Sequence, residues 1–177
     1  MIKRVLLLGI LIAVLGSGFV YSGIYPIGAD VPHNQLTYWL LETIRDRSIL
    51  RASDKIEVPD LSSPAMLLSG GADYNDMCSG CHLKPEMTQS DMSVGLYPVP
   101  PNLVKLSDEH DPEQAAQRNF WIIKHGVKAS GMPAWGPTHD DGRIWAMVAF
   151  LQKLPALTAD QYQIITARAA NQTSSDH

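Results

Sequence analysis

Cysteine is scarce in this sequence: the 177 residues contain two, Cys78 and Cys81, and both lie within four positions. Because no second pair of thiols exists, the chain lacks the usual complement of a structural zinc site. An excess of basic charge is also lacking, since 14 Lys and Arg against 18 Asp and Glu leave a net charge of −4. We therefore expect no nucleic-acid partner.

Signals for β-strands are nearly absent, and 12 prolines and 13 glycines favour a loop-rich helical fold. Patterns that carry bond chemistry are missing as well: no paired carboxylates, nucleophile with an adjacent base or phosphate-binding loop stands out. The sequence therefore predicts an all-α protein that is not itself an enzyme and has no small-molecule substrate.

A long apolar run occupies the N-terminus, "MIKRVLLLGILIAVLGSGFVY", in which Lys3 and Arg4 precede uncharged residues 5–21. The run reaches the lower limit of about 17 residues for crossing a bilayer. It is either an uncleaved anchor or a secretory signal, and the lack of an A-x-A-like cleavage site favours the anchor. Because Lys3 and Arg4 stay cytoplasmic, the remainder is exported. We expect residues 1–24 to be a single-pass anchor in the cytoplasmic (inner) membrane, with the rest on the periplasmic side.

The remaining chain divides into three predicted parts: residues 25–62, a linker with an amphipathic helix; 63–157, a helical domain; and 158–177, a short helix and polar tail. Within them we predict helices over 34–50, from Pro64 to Cys78, over 111–126, and over 138–155 with Thr138 as its cap, with a linker at 54–63 and a loop at 83–110. Thr158 and Gln161 form a capping box for the last helix.

The predicted helix at 34–50 has two different faces. Leu36, Trp39, Leu40, Thr43 and Ile44 share one face, and Glu42, Arg45, Asp46 and Arg47 crowd the other. Such a helix would lie on the membrane surface, dock a partner or pack against its own domain. The sequence leaves these three alternatives open.

Cys78 and Cys81 stand in "CSGCH", followed directly by His82. A zinc site is disfavoured because the adjacent side chains of Cys81 and His82 diverge. A thioredoxin-like dithiol needs a strand–helix junction that the sequence lacks, and a disulfide here would close too short a loop to stabilise much. C-x-x-C-H is the attachment signature of a c-type haem, with Cys78 and Cys81 as thioether sites and His82 as an iron ligand.

The second axial position of the iron has several candidates: Met87, Met92, Met132, His110, His125 and His139. Met87 and Met92 are too close to Cys81 along the chain to reach around the macrocycle. Met132 lies 50 positions after His82, between Gly131 and Pro133, so the intervening chain can wrap the haem. We expect Met132 as the ligand, with His125 as its main rival.

Four motifs in order resemble a small monohaem class I cytochrome c: Gly70 and Tyr74 leading into "CSGCH", the proline loop "YPVPPNL", the methionine loop within "FWIIKHGVKASGMPAWG", and "IWAMVAFLQKL" as final helix. The resemblance implies the class I cytochrome c fold with long haem-wrapping loops, behind an N-terminal transmembrane helix. It also implies that Pro100 or Pro101 accepts the Nδ1–H of the haem histidine. The first and last helices would cross at Gly70 and Tyr74, with Trp145 or Phe150 in the contact.

By the same resemblance, Tyr74, Tyr97, Trp121 and Trp135 line the haem pocket together with Pro100 and Pro101. The implied function is single-electron transfer by one covalent haem c with His82 and Met132 as axial ligands, between larger redox proteins outside the membrane. Two alternatives stay open: a haem subunit fixed in a membrane dehydrogenase or reductase, and a haem sensor or peroxidase-like protein with an open iron site.

Overall fold

The computed structural model describes residues 1–105 and 111–167, and all regular structure in these ranges is helical. The predicted all-α class is therefore confirmed. The elements in chain order are α1 (Ile2–Ser22), α2 (Gln35–Ser53), α3 (Pro64–Asp73), a π-helical turn (Tyr74–Cys78), α4 (Ser79–His82), α5 (Asp91–Gly95), α6 (Pro112–His125), α7 (Asp141–Leu151), a 3-10 turn (Leu154–Ala156) and α8 (Ala159–Thr166).

The chain forms two compact units, Met1–Pro32 and His33–His177. The first contains α1, whose 21 residues bury no side chain within the protein. Length and composition make α1 long and apolar enough to cross a bilayer, as a membrane anchor requires. A signal sequence shares these properties, so whether residues 1–24 are cleaved stays a prediction.

The second unit is organised around the crossing of α3 and α7, as the sequence predicts. A Cβ on Gly70 would lie 1.9 Å from the carbonyl oxygen of Ala146, so only glycine permits the two helices to approach this closely. One turn later, the ring centroid of Tyr74 lies 5.2 Å from that of Phe150. Of the two predicted contact residues, Phe150 is therefore the one that meets Tyr74.

Trp145 turns to the other side of α7 and stacks on Phe120 of α6, with ring centroids 4.1 Å apart. Residues 54–63, predicted as a linker, also pack here. Ile56, Val58 and Leu61 contact this core, and the carbonyl of Ile56 accepts a hydrogen bond of 2.9 Å from the side chain of Gln117. The segment has no regular structure, and its partly buried apolar side chains pack against the core that α6 and α7 form. Its role as a linker stays a prediction.

Several predicted helix ends are correct and others move. Gly126 ends α6 with a φ of 64°, and the capping box of Thr158 and Gln161 begins α8. The cap of α7 is Asp140, whose carboxylate accepts from the backbone N–H of Arg143, and not Thr138. Thr138 instead bonds the carbonyl of Trp135 in a preceding turn, so α7 begins later than predicted.

The predicted loop at 83–110 contains a short helix, α5, which begins at a capping box formed by Ser90 and Ser93. His110, one of the candidate iron ligands, lies outside the described residues. The helix predicted from Pro64 continues past Cys78 through the π-helical turn into α4 and ends at His82.

α2 packs against α6. The structure therefore shows one of the three alternatives for this helix, packing against its own domain. Ile49 and Ser53 are the buried residues of α2. Its N-terminus is capped by Asn34, whose side chain accepts from the backbone N–H of Thr37 at 3.0 Å.

Candidate functional site

The C-x-x-C-H motif lies where α3 changes into a π-helical turn and then into α4. Leu83 ends this helix with a φ of 68° while its N–H still bonds the carbonyl of Ser79 at 2.9 Å. The hydroxyl of Tyr74 donates to the carbonyl of Leu83 at 2.7 Å and lies 3.3 Å from that of His82. A buried tyrosine one element upstream therefore ties down the backbone on which His82 sits.

The two cysteines are not bonded to each other. Burial raises the pKa of the Cys78 thiol to about 12, and Asp73 and Cys81 act in the same direction. A thiol with a raised pKa forms little thiolate, the reactive species in dithiol exchange and in zinc binding. In residues 1–105 and 111–167 no group of three or more His, Cys, Asp or Glu side chains is placed to hold a metal ion. A haem differs from such a group because its macrocycle supplies four of the iron ligands.

The imidazole Nδ1 of His82 lies 2.9 Å from the carbonyl oxygen of Pro101. A carbonyl oxygen only accepts, so Nδ1 carries the proton and Nε2 keeps its lone pair. Burial lowers the pKa of His82, against the opposing effect of the hydrogen bond to Pro101, and so favours the neutral ring. A neutral imidazole with a free Nε2, oriented by a carbonyl, is the form that ligates metals. Of the two candidate prolines, Pro101 is thus the acceptor.

Met132 lies on a loop that folds back on itself. The carbonyl of Met132 accepts from the N–H of Val127 at 3.1 Å, and its own N–H donates to the hydroxyl of Ser130 at 3.1 Å. Gly136 anchors the far end of the loop, since its N–H bonds the carbonyl of Lys124 at 2.9 Å. A Cβ on Gly126 would meet the Met132–Ala134 backbone at 2.7–2.8 Å, so glycine is required where the loop closes.

One cavity of about 570 Å³ lies between these elements. Its walls come from α2, the C-x-x-C-H turn, the proline loop, α6, the methionine loop and α7. Among the predicted site residues, those that line it are Tyr74, Cys78, Cys81, His82, Tyr97, Pro100, Pro101, Met132 and Trp135. A second cavity of about 540 Å³, lined by residues such as Asn75 and Tyr162, contains neither His82 nor Met132.

The structure does not bring Trp121 to this cavity. Its ring lies 4.9 Å from that of His125 on α6, whereas the cavity is lined by Arg118, Asn119, Ile122 and Ile123 on another side of that helix. The other candidate ligands are also elsewhere: Met87, Met92, His125 and His139 are not among the lining residues. The side of α6 on which Trp121 lies decides whether it reaches the cavity, and sequence periodicity gives that side only approximately.

None of the recognised sequence motifs predicts the wall that α2 contributes. Tyr38, Glu42, Arg45 and Ile49 recur every three or four residues and line the cavity, although they lie far from the recognised motifs. The guanidinium of Arg45 contacts Glu42 at 3.2 Å and Asp46 at 2.8 Å. Glu42 and Arg45 belong to the predicted polar face of this helix, and such a face is ordinarily expected to point toward solvent.

The residues of this cavity fit a covalently bound haem. The volume lies in the range of cofactor sites, about 300–1,000 Å³. Its walls carry the two thiols, the oriented imidazole of His82 and a thioether sulfur on Met132, which is the donor set of a c-type haem. Arg45 and Arg118 are the cationic lining side chains, and they offer partners to the carboxylates that a haem carries at its edge.

The comparisons with known proteins agree with this geometry. Residues 65–151 match the family model described as cytochrome c oxidase, cbb3-type, subunit III. Neither the curated proteins nor the solved structures gave a significant match. This part of the chain is a c-type cytochrome domain, and its cofactor is a covalently bound c-type haem. The resemblance to a class I cytochrome c is thereby confirmed.

Proposed function

We propose that this protein transfers single electrons on the periplasmic side of the cytoplasmic membrane, through a haem held by Cys78, Cys81, His82 and Met132. The observation that carries the proposal is that these four side chains line one cavity although Met132 is 50 positions from His82. The haem supplies an iron that changes its charge by one electron. The protein holds, orients and shields that iron.

Each side chain has a distinct role in this proposal. Cys78 and Cys81 would hold the haem covalently in an exported domain. His82 would ligate the iron through Nε2, because the carbonyl of Pro101 holds the proton on Nδ1. The neutral sulfur of Met132 favours the ferrous state and raises the reduction potential.

Two further methionines, Met77 and Met147, also line the cavity. Met77 directly precedes Cys78 and belongs to the same helical turns as His82, which restricts it to that side of the macrocycle. Met147 is 1 % exposed and packs within the core between α6 and α7. Met132 is the one carried by a separate, tightly bonded loop.

The orientation of the domain follows from α1. Lys3 and Arg4 precede its apolar run, and basic residues are retained on the cytoplasmic side. The haem domain would then face the periplasm, tethered to the membrane. Its donor and acceptor would be redox proteins that meet it through small, short-lived interfaces.

The substitution Met132→Ala tests this function. We expect the variant to keep its haem through denaturation, to show a markedly lower midpoint potential by potentiometric titration and to bind carbon monoxide rapidly. The matched control is Met92→Ala, at an exposed position away from the cavity. It should change neither the midpoint potential nor the binding of carbon monoxide. An unchanged potential in Met132→Ala would show that another side chain is the ligand. Rapid binding of carbon monoxide to the unmodified protein would instead support the open-site alternative.

A second candidate function is that of a haem subunit fixed in a membrane oxidoreductase, and the description of the matched family favours it. Purification of the full chain from membranes in a mild detergent separates the two. Stoichiometric co-purification of other redox subunits would support the fixed subunit. A cytochrome that purifies alone, and that exchanges electrons with redox proteins only when they are mixed, would support the first proposal, an electron carrier.

A further inference from the structure

α2 exposes large apolar side chains on the side that faces away from the haem cavity. The stripe Tyr38, Glu42, Arg45 and Ile49 lines the haem cavity. Opposite to it runs a second stripe, which we name the outer stripe: Leu36, Trp39, Leu40, Ile44, Arg47 and Arg51. Its apolar members are 71 %, 59 %, 48 % and 57 % exposed, in chain order. Large apolar side chains clustered on an outer surface indicate an interaction site.

We propose that the outer stripe lies in the headgroup region of the bilayer that α1 enters and seats the haem domain on the lipid surface. The inference rests on the membrane anchorage proposed above. The aliphatic side chains and Trp39 would enter the boundary of the acyl chains, and Arg47 and Arg51 would contact lipid phosphates.

The connection between α1 and α2 supports lipid as the occupant. Residues 23–34 join the two helices, and an extended chain spans at most about 3.5 Å per residue, roughly 40 Å in all. The outer stripe therefore never leaves the neighbourhood of the membrane, which gives it a high effective concentration at the lipid surface. The apolar members also occupy the first turns of α2, which directly follow residues 23–34.

Charge supports the same occupant. The acidic residues of α2, Glu42 and Asp46, are both engaged by Arg45 at 3.2 and 2.8 Å. Arg47 and Arg51 are exposed on the outer stripe, three and seven residues after Ile44. In a protein of net charge −4 this stripe is locally basic, which suits anionic phospholipids. Tryptophan and arginine are both suited to the headgroup region, because each side chain combines an apolar body with a polar end.

Seating α2 on lipid would fix the orientation of the haem. The same helix forms one wall of the cavity, so that wall would face the bilayer. Redox partners would then approach the haem from the walls formed by the proline and methionine loops. One side of the domain would thus contact the membrane, and another side would remain accessible to redox partners.

Photocrosslinking in the full-length holoprotein tests the proposal. A benzophenone amino acid replaces Leu40 on the outer stripe, Leu11 in α1 or Ile164, an exposed apolar residue of α8. Each variant is illuminated both in vesicles of phosphatidylethanolamine and phosphatidylglycerol and in native membranes. We expect lipid adducts at positions 11 and 40 in both settings, and none at position 164.

The outcomes separate this inference from the anchorage on which it rests. Lipid adducts at 11 without any at 40 would overturn the seating of α2 and leave the anchor intact. Absence of adducts at 11 would overturn the anchorage itself. In native membranes, a protein adduct at 40 in place of lipid would assign the outer stripe to another subunit and contradict the proposal.

A variant that replaces apolar residues of the outer stripe by acidic ones provides an independent measurement. With the benzophenone at Trp39, the double substitution Leu36→Glu and Ile44→Glu should reduce the yield of lipid adducts severalfold while the haem spectrum stays unchanged. Leu68→Glu, at an exposed position on α3, is the matched control and should leave the yield as it was. Equal yields in both variants would contradict the proposal.

Discussion

Two contacts, of 2.7 and 2.9 Å, join the guanidinium of Arg143 to the carboxylate of Asp73 across 70 residues of sequence. Asp73 is the last residue of α3 and is buried, whereas Arg143 lies in the first turn of α7. The paired geometry fixes direction as well as distance. The pair therefore joins the end of α3, which leads into the C-x-x-C-H motif, to the start of α7.

Replacing Arg143 by Met should lower the free energy of unfolding by about 3–5 kcal/mol, because it takes the guanidinium away from a buried carboxylate. Denaturation of the oxidised holoprotein followed by circular dichroism measures this. As a control, Asp141→Asn breaks the exposed ion pair with Lys124, whose atoms are 2.6 Å apart. Exposed pairs contribute about 1 kcal/mol or less. Equal losses in both variants would show that the Asp73–Arg143 pair contributes no more than an exposed ion pair.

Gly70→Ala should disrupt the crossing of α3 and α7. The added Cβ would meet the backbone carbonyl of Ala146 at 1.9 Å, and backbone gives way only if the helices move apart. We expect a loss of about 1–3 kcal/mol in the free energy of unfolding. The comparison is Gly142→Ala on α7, where the nearest atom would be the Asp140 carboxylate at 3.4 Å. That variant should be neutral or gain up to about 1 kcal/mol from helix propensity. A neutral Gly70→Ala would contradict the close crossing.

The glycines of α3 illustrate what the sequence was able to predict. Gly70 and Gly71 weaken a helix, so their presence in one is explained by a close neighbour, and the structure places α7 there. The spacing of the cysteines in "CSGCH" likewise predicts a covalently bound haem, since this motif needs no knowledge of distant contacts. Gly126, with its positive φ, was predicted as a helix end for a similar local reason.

Other features depend on tertiary contacts that no local pattern contains. Thr138 and Asp140 are both good caps, and in the structure Asp140 accepts from the first turn of α7. Neighbouring Pro100 and Pro101 have equivalent carbonyls until the loop places one of them 2.9 Å from His82. The side of α2 that lines the cavity was the least predictable, because Glu42 and Arg45 come to the cavity only through contacts with distant parts of the chain.

Tyr74→Phe should weaken the backbone around His82 without changing the shape of the core. The lost hydroxyl donates to the carbonyl of Leu83 at 2.7 Å and lies near that of His82. We expect a loss of about 1–2 kcal/mol in the free energy of unfolding, since a buried carbonyl loses its donor. Tyr162→Phe removes a longer bond of 3.2 Å to Asn75 and should cost less. If the two variants lose the same amount, the hydroxyl of Tyr74 has no special part in holding the turn.

His139 should make the stability of the protein depend on pH. Burial lowers the pKa of its imidazole, and Arg143 lowers it further against the opposing charges of Asp73 and Asp140. Nδ1 lies 2.8 Å from the hydroxyl of Thr138, and Nε2 is buried without a hydrogen-bond partner among the described residues. The native ring therefore resists protonation, whereas the ring in the unfolded chain takes up a proton near its usual pKa of about 6.5.

Because the unfolded state binds more protons, the contribution of His139 is present above about pH 6.5 and is lost as the pH falls from there toward the lowered native pKa. Unfolding measured at about pH 7 and pH 5 should show a smaller loss of stability in His139→Gln than in the unmodified protein. His125→Gln, at an exposed position, should retain the full loss. An identical pH dependence in His139→Gln would show that its imidazole titrates alike in both states, and that the buried Nε2 is not what holds the ring neutral.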